Sequence, residues 1–276
     1  MTQFIDNPEV NALLFDCNRD GFNPSSSSAK TIELKDSSDN VILAQFFTHD
    51  TKSPNIIFYP STDAPLVDCE EMAAKYVAHG INMLVLSYRG DNVRGTLPTL
   101  AEFYEDGRQL FDQASKWLDD SGFEGAKFIM GQSLGSVLAI DVVSRNAEKI
   151  KGIFLESAMC QMGDYLESRG LSTEGMTDLE EKGFCNLEKI EKIEIATLIF
   201  HGAKDAYIPI ADAEKLQASS GARTKQFFVI PGAQHQALYE SGGKLYFETI
   251  KKFIDTLCGV NTWRQKRRKH IEDQEK

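Results

Sequence analysis

A single serine stands between two glycines where one apolar run ends and another begins. The segment is Gly131-Gln132-Ser133-Leu134-Gly135, and residues 128–130 and 137–140 on either side are apolar. A tight turn that happens to contain serine is one interpretation. The other is a nucleophile elbow, in which a strained strand-to-helix turn exposes the Ser133 hydroxyl. Small residues two positions away then let the strand and the helix pass closely.

Two further polar side chains follow strand-like runs later in the chain. Asp205 comes after ATLIFHG and His235 after KQFFVIPG, so serine, carboxylate and imidazole occur in that order with gaps of 72 and 30 residues. In an open α/β sheet, groups at the carboxyl ends of the strands meet at one edge. A serine hydroxyl needs an imidazole to accept its proton, and a carboxylate orients that imidazole. The three residues therefore predict a catalytic triad.

The elements that would carry these residues alternate along the chain. Short runs rich in Ile, Val, Phe and Leu predict strands, and longer amphipathic stretches between them predict helices. Only Asp36 to Asn40 separates the first two runs, which predicts a hairpin. We therefore expect an α/β fold with a mainly parallel, doubly wound sheet and antiparallel N-terminal strands. The predicted strands are 31–35, 41–48, 55–59, 81–88, 126–130, 151–155, 196–200 and 225–230, and the predicted helices are 65–79, 101–119, 134–147, 208–219 and 243–257.

The order of elements predicts three segments. An N-terminal extension spans 1–29, the α/β domain spans 30–257, and a charged C-terminal tail spans 258–276. One stretch of the domain, 157–187, interrupts the alternation of strand and helix. It is either a small lid insertion over the site or a surface helix pair packed on the body of the domain.

Composition and charge exclude several classes of protein. The 276 residues are 42% hydrophobic with a formal net charge of −11, which argues against a nucleic-acid-binding face. The five cysteines are scattered without C-x-x-C spacing, which favours reduced thiols. The opening MTQFIDNPEV lacks the basic region and apolar core of a signal peptide, and no apolar run reaches the length of a membrane span. We therefore expect a soluble, cytoplasmic protein.

Five segments of the chain resemble a known superfamily. MGQSLGS, LSYRG, HGAKDAYIP, IPGAQH and GFCNLEKIEKI are similar to segments of α/β-hydrolases, and the likeness covers roughly residues 30–257. More narrowly, they resemble the bacterial hydrolases named after serine aminopeptidases, which are similar to acyl-protein thioesterase-like proteins. The resemblance implies the α/β-hydrolase fold, with Ser133 as nucleophile, Asp205 as acid and His235 as base.

The resemblance also implies an oxyanion hole built from two backbone N–H groups. One belongs to Leu134, at the positive end of the helix that follows the serine. The other belongs to Ser61, where the chain departs from the usual pattern: the strand ends in Tyr59-Pro60-Ser61-Thr62 in place of His-Gly, and proline has no N–H. A second departure, Asp91 to Arg94, puts a charged pair near the predicted rim of the site.

Several residues near these motifs have competing interpretations. Glu156 follows a predicted strand and is an alternative acid to Asp205. His201 has no partner at metal-ligand spacing, so we interpret it as a packed histidine and predict no metal. Three apolar residues of the insertion either line an acyl pocket or pack the insertion onto the domain: Met159, Met162 and Phe184.

Two charged segments are interpreted as solvated. Asp16 to Gly21 matches the first half of a calcium loop, but Pro24 and Ser27 stand at the ninth and twelfth positions, so we predict no calcium site. The basic run Arg264 to Lys269 could contact an anionic membrane weakly. Because acidic residues follow closely, a solvated tail is the simpler interpretation.

These observations predict a serine hydrolase that cleaves a small-molecule carboxylic ester or thioester through an acyl-enzyme, with no cofactor. An aminopeptidase of the same fold is the alternative among enzymes. It needs an acidic pocket for the substrate's amino group, for which Glu156 and Asp91 are candidates. A non-catalytic interaction module is the alternative outside enzymes. Acyl length, leaving group and oligomeric state stay open.

Overall fold

The part of the chain that the structure describes contains eight strands and nine α-helices. The computed structural model describes residues 7–15, 29–62, 66–89, 97–176 and 179–260. The strands are β1 Lys30–Lys35, β2 Val41–Phe47, β3 Asn55–Tyr59, β4 Asn82–Leu86, β5 Lys127–Gln132, β6 Gly152–Glu156, β7 Ala196–Gly202 and β8 Lys225–Ile230. The helices are α1 Pro8–Phe15, α2 Leu66–Ala78, α3 Leu100–Asp120, α4 Gly135–Asn146, α5 Met162–Ser168, α6 Leu179–Lys182, α7 Asn186–Glu191, α8 Ile210–Ser219 and α9 Leu238–Leu257.

The strands form one sheet in the order β1-β2-β4-β3-β5-β6-β7-β8. Strand β2 pairs antiparallel with both of its neighbours, and the remaining pairs are parallel. In the β1–β2 hairpin, the Asp36 N–H donates to the Asn40 carbonyl at 3.0 Å, and the Asp36 carboxylate accepts from the Asn40 amide. The predicted doubly wound sheet with antiparallel N-terminal strands is confirmed.

The central strands are buried on both faces because helices cover both sides of the sheet. Every residue of β3, β4 and β7 is buried, as is typical of parallel strands between two helical layers. The larger hydrophobic cluster lies on the face covered by α1, α3, α4, α5, α7 and α8, and the smaller one on the face covered by α2 and α9. The edge strands β1 and β8 keep several exposed residues.

The N-terminal extension contains a helix that the sequence pattern did not predict. Helix α1 buries Val10, Leu14 and Phe15 in the larger hydrophobic cluster. The ring centroids of Phe15 and Phe103 of α3 are 5.0 Å apart. The Thr62 hydroxyl, shortly after β3, donates to the Leu14 carbonyl at 3.2 Å. The helix is therefore packed on the domain beside the segment that contains Ser61.

The described part of the 157–187 insertion packs onto the body of the domain. Met162 and Leu166 of α5 have no exposed surface. The Tyr104 hydroxyl of α3 donates to the Phe184 carbonyl at 3.1 Å. Apolar side chains and a polar contact to α3 thus hold this insertion against the sheet-covering helices.

Candidate active site

The turn between β5 and α4 has the backbone strain expected of an elbow. Ser133 adopts φ of +51°, a left-handed conformation that is uncommon for residues other than glycine. Its N–H donates to the Glu156 carbonyl at 2.9 Å. A Cβ added at Gly131 would lie 2.6 Å from the Ser136 Cα, and one added at Gly135 would lie 2.1 Å from the Tyr59 carbonyl oxygen. Only glycine lets the chain pass at these two positions.

The structure brings Ser133, Asp205 and His235 together at the carboxyl ends of β5, β7 and β8. His235 Nε2 lies 2.8 Å from the Ser133 Oγ, and His235 Nδ1 lies 2.8 Å from Oδ2 of Asp205. An ionised carboxylate only accepts hydrogen bonds, so Nδ1 carries the proton and Nε2 is left to accept from the serine hydroxyl. The arrangement can remove a proton from Ser133 as its oxygen attacks a carbonyl carbon.

Asp205 is held in the charged form that this arrangement requires. Its side chain is 1% exposed, and burial opposes ionisation. The hydrogen bond from His235 outweighs burial, together with the N–H groups of Tyr207 and Ile208, which donate to Oδ1 at 3.0 and 2.9 Å. The pKa of Asp205 is consequently lowered below its ordinary value.

Glu156, the alternative acid, has other partners. Its carboxylate accepts from the Gln132 side-chain amide at 3.2 Å and from the Tyr246 hydroxyl, while the Tyr76 and Tyr246 hydroxyls are 2.8 Å apart. Burial raises the pKa of Glu156 to about 7. The group that orients His235 in this structure is Asp205. These partners enclose the Glu156 carboxylate, so in this structure it is not accessible to a substrate's amino group.

Ser157 is a residue of the site that the sequence analysis did not identify. Its hydroxyl donates to the His235 backbone carbonyl at 2.7 Å, and its φ is +41°. Since the preceding residue, Glu156, accepts from the Ser133 N–H, the end of β6 contacts both Ser133 and His235. The one available signal in the sequence was its position directly after a buried strand.

The two residues predicted to form the oxyanion hole lie on adjoining segments. Ser61 is buried just after β3, and Leu134 directly precedes α4. The close approach of Gly135 to the Tyr59 and Pro60 carbonyls brings the start of α4 against the segment with Ser61. The N–H groups of a first helical turn have no acceptor within their own helix, so they can donate to an oxyanion.

The three candidates for an acyl pocket occupy a different environment from the one expected. Met159, Met162 and Phe184 are at most 1% exposed and belong to the larger hydrophobic cluster. Other apolar side chains of that cluster surround them, and none of the three lines the cavity beside His235. Their structural role is to pack the insertion onto the domain, and the expectation that they line a substrate pocket is corrected.

A polar cavity of about 510 Å³ reaches the base of the triad. It borders His235, while Ser133 is only 2% exposed. The residues that line it are Lys204, Ala206, Tyr207, Gln234, His235, Gln236, Ala237 and Glu240.

His201 is a buried histidine at the end of β7. Its Nε2 donates to the Ile208 carbonyl at 2.9 Å, its Nδ1 has no hydrogen-bond partner, and burial lowers its pKa. Within the described ranges, no group of three or more His, Cys, Asp or Glu side chains could hold a metal ion. The calcium-like segment, the charged pair of Asp91 to Arg94 and the basic run of Arg264 to Lys269 lie outside the described residues.

Comparison with known proteins identifies a family for this arrangement. The family model described as serine aminopeptidase, S33, matches residues 68–177 and 168–242, which is more than half of the chain. The chain belongs to this family. Membership in it and the α/β-hydrolase fold support hydrolase activity.

Individual relatives and structures are similar at low sequence identity. An α/β hydrolase domain-containing protein of Arabidopsis thaliana, WAV2, is 22% identical over 238 residues, covering 79% of this chain and 76% of its own. The esterase Pf2001 of Pyrococcus furiosus is 14% identical with a TM-score of 0.67, over 87% of this chain and 98% of that one. A monoacylglycerol lipase of Paleococcus ferrophilus is 12% identical with a TM-score of 0.60, over 78% and 99%. At such identities the two structures show a shared fold alone.

Among the helices of the described residues, none combines the length and the apolar character that crossing a bilayer would require.

Proposed function

We propose that the protein is a serine hydrolase that cleaves carboxylic esters or thioesters through a covalent acyl-enzyme. The observation that carries the proposal is the chain of two 2.8 Å hydrogen bonds from Ser133 through His235 to Asp205. The positive φ of Ser133 supports it, since strain of this kind clusters at functional sites. The family and the neighbouring esterase and lipase structures support the same class of reaction.

In the acylation step, the Ser133 oxygen attacks the carbonyl carbon while its proton moves to Nε2 of His235. Asp205 stabilises the resulting imidazolium through Nδ1. The negative charge develops on the carbonyl oxygen, where the N–H groups of Leu134 and Ser61 are proposed to donate. When the tetrahedral intermediate collapses, the bond to the leaving oxygen or sulfur breaks and His235 returns the proton to that atom.

Deacylation repeats these proton movements with water as the nucleophile. His235 accepts a proton from the water, the hydroxide oxygen bonds to the acyl carbon, and the Ser133 oxygen leaves with the proton that His235 returns. The products are a carboxylic acid and the free serine. The scheme uses side chains and backbone N–H groups only.

Labelling with a fluorophosphonate tests the nucleophile. The reagent should modify wild-type protein at Ser133, because a serine paired with a base is far more reactive than an ordinary hydroxyl. Ser133→Ala should abolish labelling. Ser144→Ala is a matched control, since the Ser144 hydroxyl donates to the Asp141 carbonyl on α4. Labelling that survives Ser133→Ala would favour the interaction-module alternative.

A substrate panel tests the bond that is cleaved. Measurements of kcat/KM on p-nitrophenyl esters, acyl thioesters and aminoacyl nitroanilides compare the three classes with one preparation. We expect turnover of esters and thioesters, because the cavity at His235 holds one carboxylate, Glu240, beside a lysine and two glutamines. A clear preference for aminoacyl nitroanilides would assign the protein to the aminopeptidase alternative.

A further inference from the structure

The space beside His235 is where a leaving group would have to lie. His235 Nε2 faces the Ser133 oxygen at 2.8 Å, and the same nitrogen returns a proton to the leaving atom in the proposed reaction. The carbonyl oxygen points instead toward Leu134 and Ser61. The cavity borders His235, and its lining includes neither Leu134 nor Ser61, so it is available to a leaving group. Its lysine, glutamine and glutamate side chains suit a polar group.

An arginine of the insertion stacks on an aromatic ring that lines this cavity. The Tyr207 ring meets the His235 ring edge-on, with centroids 5.5 Å apart and planes at 79°. The guanidinium of Arg169, which follows α5, lies 5.0 Å from the centroid of the Tyr207 ring. Tyr207 is 43% exposed, so the ring is accessible from the cavity. Stacking on Tyr207 holds the Arg169 charge close to the mouth of the site.

Among the exposed charged side chains that the structure describes around the cavity, two are cations, Arg169 and Lys204, and one is a carboxylate, Glu240. Within the described parts of the chain, neither Arg169 nor Lys204 has a carboxylate within ion-pair distance. One carboxylate, Glu240, lines the same cavity and lies in the first turn of α9, where backbone N–H groups favour a negative charge. The charge of Asp205 is already engaged by His235 and two N–H groups.

We propose that Lys204, Arg169 and Tyr207 form a subsite for an anionic leaving group. Its ligand is an alcohol or thiol that carries a carboxylate or phosphate, released from the ester or thioester when the carbonyl bond breaks. The inference rests on the proposed function, because a leaving group exists only where an acyl group is transferred to Ser133. The leaving atom takes the proton of His235, and the remote anion lies against the two cations.

The attraction between the remote anion of the leaving group and the two cations acts in the transition state as well as in the bound substrate. The remote anion keeps its charge throughout the reaction, so its interaction with Lys204 and Arg169 raises kcat/KM whenever the leaving group occupies the cavity. Exposed charge pairs change an equilibrium by about two- to fivefold each. Two such pairs therefore predict a preference of roughly five- to twentyfold for the anionic leaving group, weakened by added salt.

The test compares acetyl esters that differ only in the leaving group. The four esters are those of phenol, 3-hydroxybenzoate, 3-hydroxyphenyl phosphate and 3-hydroxyphenyltrimethylammonium. Each kcat/KM is divided by the rate of hydroxide-catalysed hydrolysis of the same ester, which removes differences in intrinsic reactivity. We expect the carboxylate or the phosphate ester to exceed the phenol ester, and the cationic ester to fall below it. The carboxylate and phosphate arms show which anion the subsite prefers.

Variants assign the preference to the named side chains. Lys204→Gln and Arg169→Met should each reduce the ratio of anionic to neutral kcat/KM by about two- to fivefold, and the double variant should abolish it. Methionine at 169 retains an apolar contact with the Tyr207 ring. Lys252→Gln, an exposed lysine on the far half of α9, is the control and should leave the ratio unchanged.

The possible outcomes separate this inference from the proposed function. Turnover of the phenol ester with equal rates for the anionic esters would overturn the anionic subsite and leave the hydrolase intact. A preference for the cationic ester would also overturn it, since Glu240 would then dominate the cavity. If the protein hydrolyses none of the four esters and fluorophosphonate does not label it, both the anionic subsite and the proposed function are overturned.

Discussion

Two carboxylates near the end of the sheet both have little exposed side-chain surface and yet differ in ionisation. The Asp205 side chain is 1% exposed on a residue that is half-buried, whereas Glu156 is 1% exposed as a whole. The pKa of Asp205 is lowered, whereas that of Glu156 is raised to about 7. The difference has two sources. Burial opposes ionisation more strongly at Glu156, which lies deeper in the protein. In addition, His235 and two N–H groups donate to Asp205, while a hydroxyl and a side-chain amide donate to Glu156. Burial alone therefore does not decide the charge of a carboxyl group, because the number and charge of its donors can reverse the effect.

This difference in ionisation suggests different roles for Asp205 and Glu156. Asp205 is charged at neutral pH and faces the imidazole, so it can stabilise an imidazolium during catalysis. Glu156 lies on the face of the sheet with the Tyr76 and Tyr246 hydroxyls, and it links Gln132, next to Ser133, to α9. We expect substitutions of Asp205 to change the rate and substitutions of Glu156 to change the stability.

The largest expected effect is that of Asp205→Asn on the rate. An asparagine retains the shape of the side chain but can donate to Nδ1, which favours the wrong tautomer of His235, so kcat on a p-nitrophenyl ester should fall about 10⁴-fold. Glu156→Gln is the matched control and should stay within about tenfold of wild type. Circular dichroism checks that both variants are folded. A loss of rate in Glu156→Gln as large as that in Asp205→Asn would reverse the assignment of the acid.

The second prediction concerns the pH dependence of stability. Because the pKa of Glu156 rises from 4.5 to about 7 on folding, the unfolded chain ionises this group first as pH increases. The free energy of unfolding should therefore fall between about pH 4.5 and 7, by roughly 3 kcal/mol for this group alone, and then level off.

Urea unfolding across that pH range measures the effect. Glu156→Gln should remove this decline, while Glu148→Gln, at an exposed position, should keep it. If wild type and Glu156→Gln show parallel curves, Glu156 is ionised in the folded protein and the contrast with Asp205 is lost.

The third prediction concerns the donor to Glu156. Tyr246→Phe removes the hydroxyl that donates to the carboxylate and leaves a buried oxygen unsatisfied, which should lower the free energy of unfolding by about 1–3 kcal/mol. Tyr76→Phe removes a hydroxyl one step further from Glu156 and should cost less, about 1 kcal/mol. Chemical denaturation of both variants tests this order. A larger loss in Tyr76→Phe would show that the network does not centre on Glu156.

The smallest predicted effect is that of Ser157, which follows Glu156 and donates to the His235 carbonyl. Ser157→Ala removes the hydrogen bond to the His235 carbonyl, so the base should be held less firmly and kcat should fall about three- to tenfold with little change in KM. Ser144→Ala, which removes a comparable hydroxyl on α4, should leave kcat unchanged. An increase in KM without a change in kcat would instead assign Ser157 a role in binding.

Local patterns in the sequence predicted the architecture and the residues at the strand ends. Glycines on either side of Ser133 indicated the elbow because such a turn needs small residues two positions from the serine. At Gly131 the excluding atoms belong to the start of the following helix, whereas at Gly135 they belong to Tyr59 and Pro60, which only the fold brings there. Runs such as ATLIFHG indicated buried strands because parallel strands between helices are apolar throughout. Asp205 and His235 then followed from the position of polar residues after two such runs, and the structure brings them within hydrogen-bond distance.

Only the tertiary structure decided which distant side chains meet. Tyr246 lies 90 residues from Glu156 and donates to it, and neither residue carries a local signal of that pairing. Helix α1 is apolar without a clear pattern and is positioned by its contact with Phe103. Met159, Met162 and Phe184 fit an acyl pocket as well as a core, and their burial depended on α5 packing against the domain. Strand periodicity and backbone strain are properties of neighbouring residues, whereas burial and the choice of donors depend on chain segments that folding alone brings together.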